Sequence, residues 1–223
     1  MPTLLLRLSG PMQSWGTTSR FDERDSQLEP SKSGVLGLVC AALGRDRAEP
    51  VDDLASLKMG VRVDREGVLM RDYQTAGGDC DSSRKTLLLA NGDVKNRTVI
   101  SPRYYLADAA FLVGLEGADR RFLEQIHDAL HAPIWPLALG RKSFPPGEPV
   151  WLKDGLRNEA LRAALLAYSR ITPVRHEQSD SHVRLILEHE SGGAVRLDQP
   201  TSPFAQRRFG PRYIASEAVH VPV

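Results

Sequence analysis

The feature that most constrains the fold is a repeated change of apolar period along the first half of the chain. Thr3–Ser9 is rich in leucine, and Arg7 and Ser9 interrupt it at a strand-like period, which predicts a strand. Ser33–Leu43 is apolar nearly all round, which predicts a buried helix. The segment 58–75 alternates again and contains a turn signal, so it predicts a β-hairpin. A further strand is predicted over 103–117 and an amphipathic helix over 118–131.

This order of elements predicts an α+β fold. Strand, helix, hairpin, strand and helix in succession come close to the βαββαβ ferredoxin-like arrangement, a sheet with helices on one face. The proline-rich segment 133–151 is expected to supply the last strand and a loop. A helix over 156–168 and a strand pair about "SGG", formed by "HVRLILEHE" and "AVRLDQP", are expected to follow. We therefore expect a ferredoxin-like domain over 1–150 and a smaller, mainly β part over 151–223.

Composition restricts the classes of function. The 223 residues include 29 Lys and Arg against 28 Asp and Glu, so any nucleic-acid surface has to be a local patch. No apolar run approaches the ~20 residues that cross a bilayer, and "MPTLLLRLSG" is too short an apolar run for a signal peptide. Cys40 and Cys80 do not make a disulfide framework. A reducing cytosol is the natural compartment, and we expect a cytoplasmic protein without membrane contact.

Two short segments have the chemistry of an anion site. In "PSKSG" (30–34) either serine can cap the predicted helix, and the same free N–H groups, with the lysine, would attract a phosphate. In "LGRKSFPP" (139–146) the glycine lets the backbone approach a ligand, and the next two residues are cations. The alternative for "PSKSG" is plain helix capping, and the alternative for "LGRKSFPP" is an exposed turn after a strand. No P-loop or dinucleotide-binding glycine pattern is present, which favours a polymer phosphate over a free nucleotide.

Aromatic residues accompany the basic segments. Recognition of single-stranded RNA needs cations for the backbone and π-faces for splayed bases. Each aromatic residue taken alone is better explained as part of the core. The aromatic residues in question are Trp15, Tyr73, Tyr104, Tyr105, Phe144, Phe209 and Tyr213.

Signatures of catalysis and of metal binding are weak. His176, His182 and His189 lie on strand-like sequence without a cysteine pair, an HExxH motif or an acidic cluster. Metal-free RNA cleavage would need a histidine or lysine as general base near the basic loops. His127 and His131 are nearest in sequence, but they are better explained as surface residues of a helix. We predict no metal, no cofactor and no catalytic residue.

Six motifs, taken in order, resemble one protein family. They are "LLLRLSGPMQSWG", "PSKSGVLGLVCAALG", "RDYQT", "PRYYLADAAFLVGL", "LGRKSFP" and "FAQRRFGPRYI", and they extend from near Thr3 to near Ile214. The same order is typical of the CasD subunit family of Cascade, the type I-E CRISPR surveillance complex. The resemblance implies a ferredoxin-like, RRM-related N-terminal domain of the repeat-associated RNA-binding superfamily. It also implies an extended thumb hairpin between the second and third strands and a smaller C-terminal part.

The resemblance implies a non-catalytic role as well. Members of the family hold the 5′ handle of the CRISPR RNA and cap the filament of CasC-type backbone subunits. They also contact the CasA-type large subunit, which inspects target DNA. A metal-independent endoribonuclease is the alternative, as in the related type I-C subunit with its Tyr, Lys and His set, but no Lys-His pair stands at the matching place. A protein scaffold that touches RNA incidentally is a third class.

Carrying the motifs over gives a set of expected RNA contacts. The thumb is expected within 76–102, where three cations would meet phosphates and the rest of the sequence keeps only length and turn character. The expected RNA-binding residues are Met12, Gln13, Trp15, Ser31, Lys32, Ser33, Gly34, Arg71, Tyr73, Arg84, Lys85, Arg97, Arg103, Tyr104, Tyr105, Gly140, Arg141, Lys142 and Ser143.

Overall fold

The computed structural model describes residues 1–17, 23–76, 87–88, 94–95, 98–172 and 182–221. A seven-stranded antiparallel sheet dominates the fold, with a separate three-stranded antiparallel sheet and a short two-stranded ladder. Helices pack against the large sheet. The fold is therefore mixed α and β, as the sequence predicted at this level.

The strands are β1 Thr3–Ser9, β2 Met12–Gln13, β3 Lys58–Arg65, β4 Val68–Ala76, β5 Leu87–Leu88, β6 Val94–Lys95, β7 Val99–Ala107, β8 Ala110–Glu116, β9 Leu156–Arg157, β10 His182–His189, β11 Ala194–Pro200 and β12 Phe209–His220. The helices are α1 Lys32–Leu43, α2 Asp52–Ala55, α3 Arg120–His131 and α4 Leu161–Ala167, with a 3-10 turn at Phe204–Gln206. The large sheet has the order β11-β12-β10-β3-β8-β1-β9, and the three-stranded sheet has the order β2-β7-β4.

The alternation along β1 divides the core in two. Leu4 and Leu6 point to one side of the large sheet and pack in the cluster that includes buried residues of α1 and α3. Leu5 points to the other side and packs with Leu112 and with Leu165 of α4. Helices therefore cover both sides of the central strands, whereas the sequence predicted helices on one side only.

Local capping signals set the ends of the two long helices. Ser31 begins α1, because its hydroxyl accepts a hydrogen bond from the Gly34 backbone N–H at 3.3 Å. Gly44 ends the helix at φ 69, in the left-handed region that glycine tolerates. At α3, the Asp119 carboxylate accepts hydrogen bonds from the backbone N–H groups of Arg121 and Phe122. Both helices are confirmed to within a turn of their predicted bounds.

The predicted hairpin over 58–75 is wrong, because the chain changes sheets at its centre. β3 pairs with β8 and β10 in the large sheet, whereas β4 pairs with β7 in the small one. The predicted single strand over 103–117 is divided for the same reason. The chain returns to the large sheet after Asp108, whose φ of 57 lets the backbone turn between β7 and β8.

The C-terminal strands continue the large sheet. β10 pairs with β3, β12 pairs with β10, and β11 pairs with β12 at the edge. The predicted pair of β10 with β11 about "SGG" is wrong, because β12 lies between them. A division into domains at 150/151 stays a prediction.

The segment 133–151 forms no strand, although it lies entirely within the described residues. Its C-terminal half instead runs along the edge of β1, with backbone hydrogen bonds from Arg7 to Val150 at 2.9 Å and from Gly147 to Ser9 at 2.9 Å. β9 is only two residues long. Among the described residues, no helix combines the length and apolar character that crossing a bilayer requires.

Candidate nucleic-acid interface

The three-stranded sheet gathers several of the aromatic and basic residues that the sequence indicated. β4 and β7 pair so that Arg71 lies opposite Tyr104, and Tyr73 lies opposite Pro102. Directly opposite residues of an antiparallel pair point to the same side of the sheet. We call this side the β4–β7 face; its members are Leu69, Arg71, Tyr73, Thr75, Ile100, Pro102, Tyr104 and, at its buried end, Leu106.

The outer part of the β4–β7 face is open to solvent. Tyr73 is 59% exposed, Leu69 is 47% exposed and Ile100 is 49% exposed. Arg71 is exposed as well, between Leu69 and Tyr73 on the same strand face. A guanidinium beside an uncovered aromatic ring and apolar side chains can bind a phosphate and stack an unpaired base.

The opposite side of the same sheet is partly built into the protein. Tyr105 packs against Phe144, with ring centroids 5.9 Å apart, and Phe144 is itself buried. Arg103 lies opposite Asp72 and donates a hydrogen bond from Nε to the Ser101 hydroxyl at 3.3 Å. Tyr105 therefore supports β7 from the core, while Arg103 is half-buried.

Arg141 joins β7 to the loop that follows α3. Its Nη2 donates to the Tyr104 carbonyl at 2.9 Å and to the Arg24 carbonyl at 3.3 Å. Its guanidinium carbon also lies 5.5 Å from the centroid of the Phe144 ring. Burial lowers the pKa of Arg141, and the neighbouring Arg103 and Arg24 lower it further. Three guanidiniums therefore lie near one another beside β7, with the carboxylates of Asp72 and Asp25 also close enough to offset part of this effect.

Gly140 lets this loop approach the segment after β2. Its φ is 90, and a Cβ there would lie 1.7 Å from the Ser14 carbonyl oxygen, so no other residue fits without a backbone shift. The Ser14 backbone N–H in turn donates to Leu139 at 3.0 Å. Lys142 and Ser143 are exposed at the tip of the loop. The sequence led us to expect that Gly140 lets the backbone approach a ligand, whereas the group it approaches in the structure is the Ser14 carbonyl of the same chain.

Gln13 and Trp15 are core residues, which corrects the expectation that they contact RNA from the surface. Gln13 Nε2 donates to Leu8 at 3.2 Å and to Ala109 at 2.8 Å, and its Oε1 accepts from Trp15 Nε1 at 3.2 Å. The exposed fraction is 0% for Gln13 and 1% for Trp15. Met12 is half-buried against the same core. The amide and the indole satisfy each other, so both polar groups are paired without a ligand.

The N-terminus of α1 also corrects an expectation. The backbone N–H of Lys32, which the sequence offered to a phosphate, donates to the Asp198 carboxylate at 2.8 Å. Asp198 is fully buried and is held by Arg212 through Nε at 2.9 Å and Nη2 at 2.8 Å. The helix terminus does bind an anion, but the anion is a carboxylate of the same chain.

Lys32 is not the exposed cation that the sequence predicted. Its side chain is 1% exposed, and its Nζ donates to both carboxylate oxygens of Glu188 at 3.1 Å. Burial lowers the pKa of Lys32, and Glu188 offsets part of that effect. Ser33 is half-buried, and Gly34 gives room to Trp15, whose Cε3 would lie 2.8 Å from a Cβ at that position. The segment 31–34 therefore serves packing and internal ion pairing.

The remaining expected contacts, Arg84, Lys85 and Arg97, lie outside the described residues, as does most of the predicted thumb over 76–102. They stay predictions from the resemblance. Within that range the described pieces are Ala76, β5, β6 and the residues from 98 onward.

Sequence reasoning missed Arg24, Leu69 and Ile100. Arg24 lay in a polar loop, yet its backbone bridges to Arg103 and extends the sheet beside β7. Leu69 sits in the run "VLM", which puts apolar groups on both sides of β4. In a half-buried strand apolar and polar residues would alternate. The unbroken apolar run was therefore the sequence signal that could have predicted an exposed apolar face on β4.

The described histidines lie away from the β4–β7 face. His127 Nε2 lies 2.8 Å from the Leu152 carbonyl oxygen, and His131 stacks on Trp151 with centroids 4.3 Å apart. His182 and His220 are opposite each other on β10 and β12. Within the described residues, no group of three or more His, Cys, Asp or Glu could hold a metal.

The fold is mixed α and β, and its small sheet exposes aromatic, apolar and cationic side chains on one face. Comparisons with known proteins give the family. A family model described as "CRISPR-associated protein (Cas_Cas5)" matches residues 3–214. The chain is also 33% identical, over 175 residues, to the CRISPR system Cascade subunit CasD of Escherichia coli K12, which covers 73% of this chain and 75% of that protein.

Solved structures agree with this. One described as "Crystal structure of Cas protein" is 46% identical with a TM-score of 0.78, and covers 99% of this chain and 97% of its own. Another, "CRISPR RNA-guided surveillance complex", is 36% identical with a TM-score of 0.78, and covers 99% of this chain and 91% of its own. The chain belongs to the Cas5/CasD family of CRISPR-associated proteins, as the resemblance predicted.

Proposed function

We propose that this chain is a non-catalytic subunit of Cascade that binds CRISPR RNA, holds its 5′ handle and caps the filament of backbone subunits. The similarity to a protein named as a Cascade subunit and to a chain of an RNA-guided surveillance complex supports the assembly. The observation that carries the RNA contact is the β4–β7 face, where exposed Tyr73 follows exposed Arg71. The proposed place of action is the cytoplasm.

We further infer that β1, α1, β3, β8, α3 and β9 form a ferredoxin-like unit. Their chain order is βαββαβ, and the central strands lie in the order β3-β8-β1-β9 with antiparallel neighbours. In this proposal the small sheet is an excursion between the second and third strands of the unit, where the thumb is expected. The residues from 151 to 223 are the smaller C-terminal part.

In this proposal the RNA lies across the small sheet. Bases stack on Tyr73 and Tyr104, Arg71 contacts phosphates on the same face, and Arg141 and Lys142 contact phosphates beside β7. The protein partners are a CasC-type backbone subunit and a CasA-type large subunit, and target DNA is contacted through them. The exposed apolar side chains of β4 supply the contact area that stacking and subunit packing both use.

The test is RNA binding by matched double variants. Arg71→Ala with Tyr73→Ala removes one cation and one exposed ring from the β4–β7 face. Arg162→Ala with Tyr213→Ala removes the same groups from exposed positions of α4 and β12. Because stacking on an aromatic ring contributes ~1–3 kcal/mol per base, the first variant should bind handle RNA at least several-fold more weakly. The second variant should bind like the wild type.

Copies purified from the host with their partners provide the second readout, by sequencing and quantifying the bound RNA. Equal RNA occupancy in the two variants would remove the β4–β7 face from the proposal. Incubating the pure protein with labelled repeat RNA in EDTA tests the alternative. A cut at a fixed position would favour the metal-independent endoribonuclease over the non-catalytic subunit.

A further inference from the structure

A second cationic region lies on the side of the large sheet that carries α4. Arg7 of β1 points to the same side as Leu5, away from α1 and α3, because alternate residues of a strand share a side. Together with Arg157 and Arg170 it lines a cleft of about 420 Å³ at the C-terminal end of α4. The other walls include Leu152, Asp154, Tyr168 and Ile171.

The guanidiniums of Arg157 and Arg170 have N–H groups without a close hydrogen-bond acceptor in the described part of the chain. The Nε of Arg170 is buried and has no hydrogen-bond partner. Arg157 approaches Asp154 and Glu159 only at 3.9 Å and 3.5 Å, longer than a direct N–H···O hydrogen bond. A buried donor without a partner is unfavourable, and an anion in the cleft would be attracted to the charge of the same guanidinium.

Arg7 is different, because it is already anchored. Its Nη1 lies 2.6 Å from the Glu148 carboxylate, and its Nε donates to the Pro149 carbonyl at 3.1 Å. These contacts hold the segment before β9 against β1. Arg7 therefore contributes charge and a fixed wall rather than free donors.

Of the carboxylates near the cleft, Glu148 is paired with Arg7 and Asp154 accepts a hydrogen bond from Tyr168, whereas the buried Oε2 of Glu159 has no hydrogen-bond partner among the described residues. The Tyr168 hydroxyl donates to Asp154 at 2.8 Å, and burial raises the pKa of Tyr168 to about 12, so the phenol stays neutral. The carbonyls of Leu165 in α4 and of Ser169 just after the helix accept hydrogen bonds from the buried guanidinium of Arg62. The residues that line the cleft include three arginines and one aspartate, with Glu148 beside Arg7 and Glu159 beside Arg157.

We propose that this cleft binds a phosphate group, at a site separate from the β4–β7 face. Arg157 and Arg170 donate to the phosphate oxygens, which match the fork of a guanidinium. The apolar wall formed by Leu152 and Ile171 leaves room beside the phosphate for a sugar or a base. A nucleic-acid backbone, a mononucleotide and inorganic phosphate share this chemistry. The proposal does not depend on RNA binding at the small sheet.

Isothermal titration of the full chain tests the cleft with three probes: inorganic phosphate, uridine 5′-monophosphate and a short oligouridine. The variant is Arg157→Gln with Arg170→Gln. The matched control, Arg120→Gln with Arg162→Gln, loses the same charge at exposed positions of α3 and α4. We expect the cleft variant to bind the tightest probe about tenfold more weakly or worse, since two charged donors are removed. The control should keep its affinity.

The ranking of the probes identifies the source of the phosphate. Equal affinities in the two variants would overturn the proposal, as would a wild type that binds none of the probes. A loss seen only with Arg71→Ala and Tyr73→Ala would assign the phosphate to the small sheet and also overturn it. Thermal unfolding checks each variant. Should the double variant unfold, Arg170→Lys keeps the charge without the fork and should still weaken binding measurably.

Discussion

The N-terminus of α1 and the loop around Arg141 bring similar groups together and use them differently. At α1, the free N–H of Lys32 meets the Asp198 carboxylate, and the lysine amino group meets Glu188. At the loop, Arg141 donates hydrogen bonds to carbonyl oxygens, and its charged neighbours include Arg103 and Arg24 together with Asp72 and Asp25. The difference is that carboxylates of the chain bind the donors at α1 directly, whereas Arg141 binds carbonyl oxygens and has its carboxylates only nearby.

The largest effect on stability is expected from removing the Asp198 carboxylate at the N-terminus of α1. Asp198→Ala leaves the buried Arg212 without its carboxylate and the first turn of α1 without an acceptor. Breaking a buried ion pair on one side costs about 3–5 kcal/mol. Urea unfolding should show that loss in the free energy of unfolding. A loss below about 1 kcal/mol would mean that water replaces Asp198 and that the helix terminus is open to solvent.

Lys32→Met sharpens the comparison by removing a cation that we place inside the protein. The Glu188 carboxylate, 17% exposed, then loses both hydrogen bonds from the amino group. Hydrogen bonds to charged groups contribute about 1.5–3 kcal/mol, so we expect a destabilisation of that size. Handle binding by the folded fraction should be unchanged. Weaker RNA binding at normal stability would restore Lys32 to the interface.

Acid should remove the stabilisation that Asp198 gives to the internal site. Burial alone would raise the pKa of Asp198, but the Arg212 hydrogen bonds and the Lys32 backbone N–H hold it below its usual range. A carboxylate with a lowered folded-state pKa stabilises fully above its unfolded pKa, about 3.9, and loses that contribution as the pH falls through the folded value. Unfolding of wild type and Asp198→Asn, compared between about pH 6 and pH 3, should converge toward low pH. A constant difference would contradict this assignment.

The smallest effect on stability is expected in the loop around Arg141. Lys142→Met removes an exposed side chain at the tip of the loop, so the melting temperature should stay within error. The salt dependence of RNA binding should change, because the slope of log K against log salt falls by about 0.7 for each phosphate of a single strand that the protein no longer neutralises. An unchanged slope would mean that Lys142 does not bind the RNA backbone.

The parts of the fold that depend on local signals could be predicted from the sequence. The capping residues Ser31 and Asp119 and the apolar spacing of α1 and α3 act within a few residues, and both helices are where the pattern put them. Alternation identified the segments that became β3, β4, β10 and β11, but it carries no information on partners. β3 and β4 are in different sheets, and β12 separates β10 from β11.

The residues of the candidate site show the same difference between local and long-range signals. Arg71, Tyr73 and Tyr104 were singled out as residue types in basic segments, and the register of β4 with β7 groups them; their contact with RNA stays a prediction. The prediction that Lys32 is exposed was wrong because the carboxylates that neutralise this terminus are far away in sequence. Asp198 lies 166 positions from Lys32. The sequence around residue 32 does not predict a contact with a carboxylate so far along the chain.

The central position of β12 has a consequence for how the protein is made. β12 is synthesised after both β10 and β11, yet it is the strand that joins them, and it carries the Arg212 that neutralises Asp198. While β12 is still inside the ribosome, β10 presents an open edge to other strands, and such edges promote aggregation. The emergence of β12, rather than that of the first strands, therefore sets the moment at which the buried ion pairs at the N-terminus of α1 are complete.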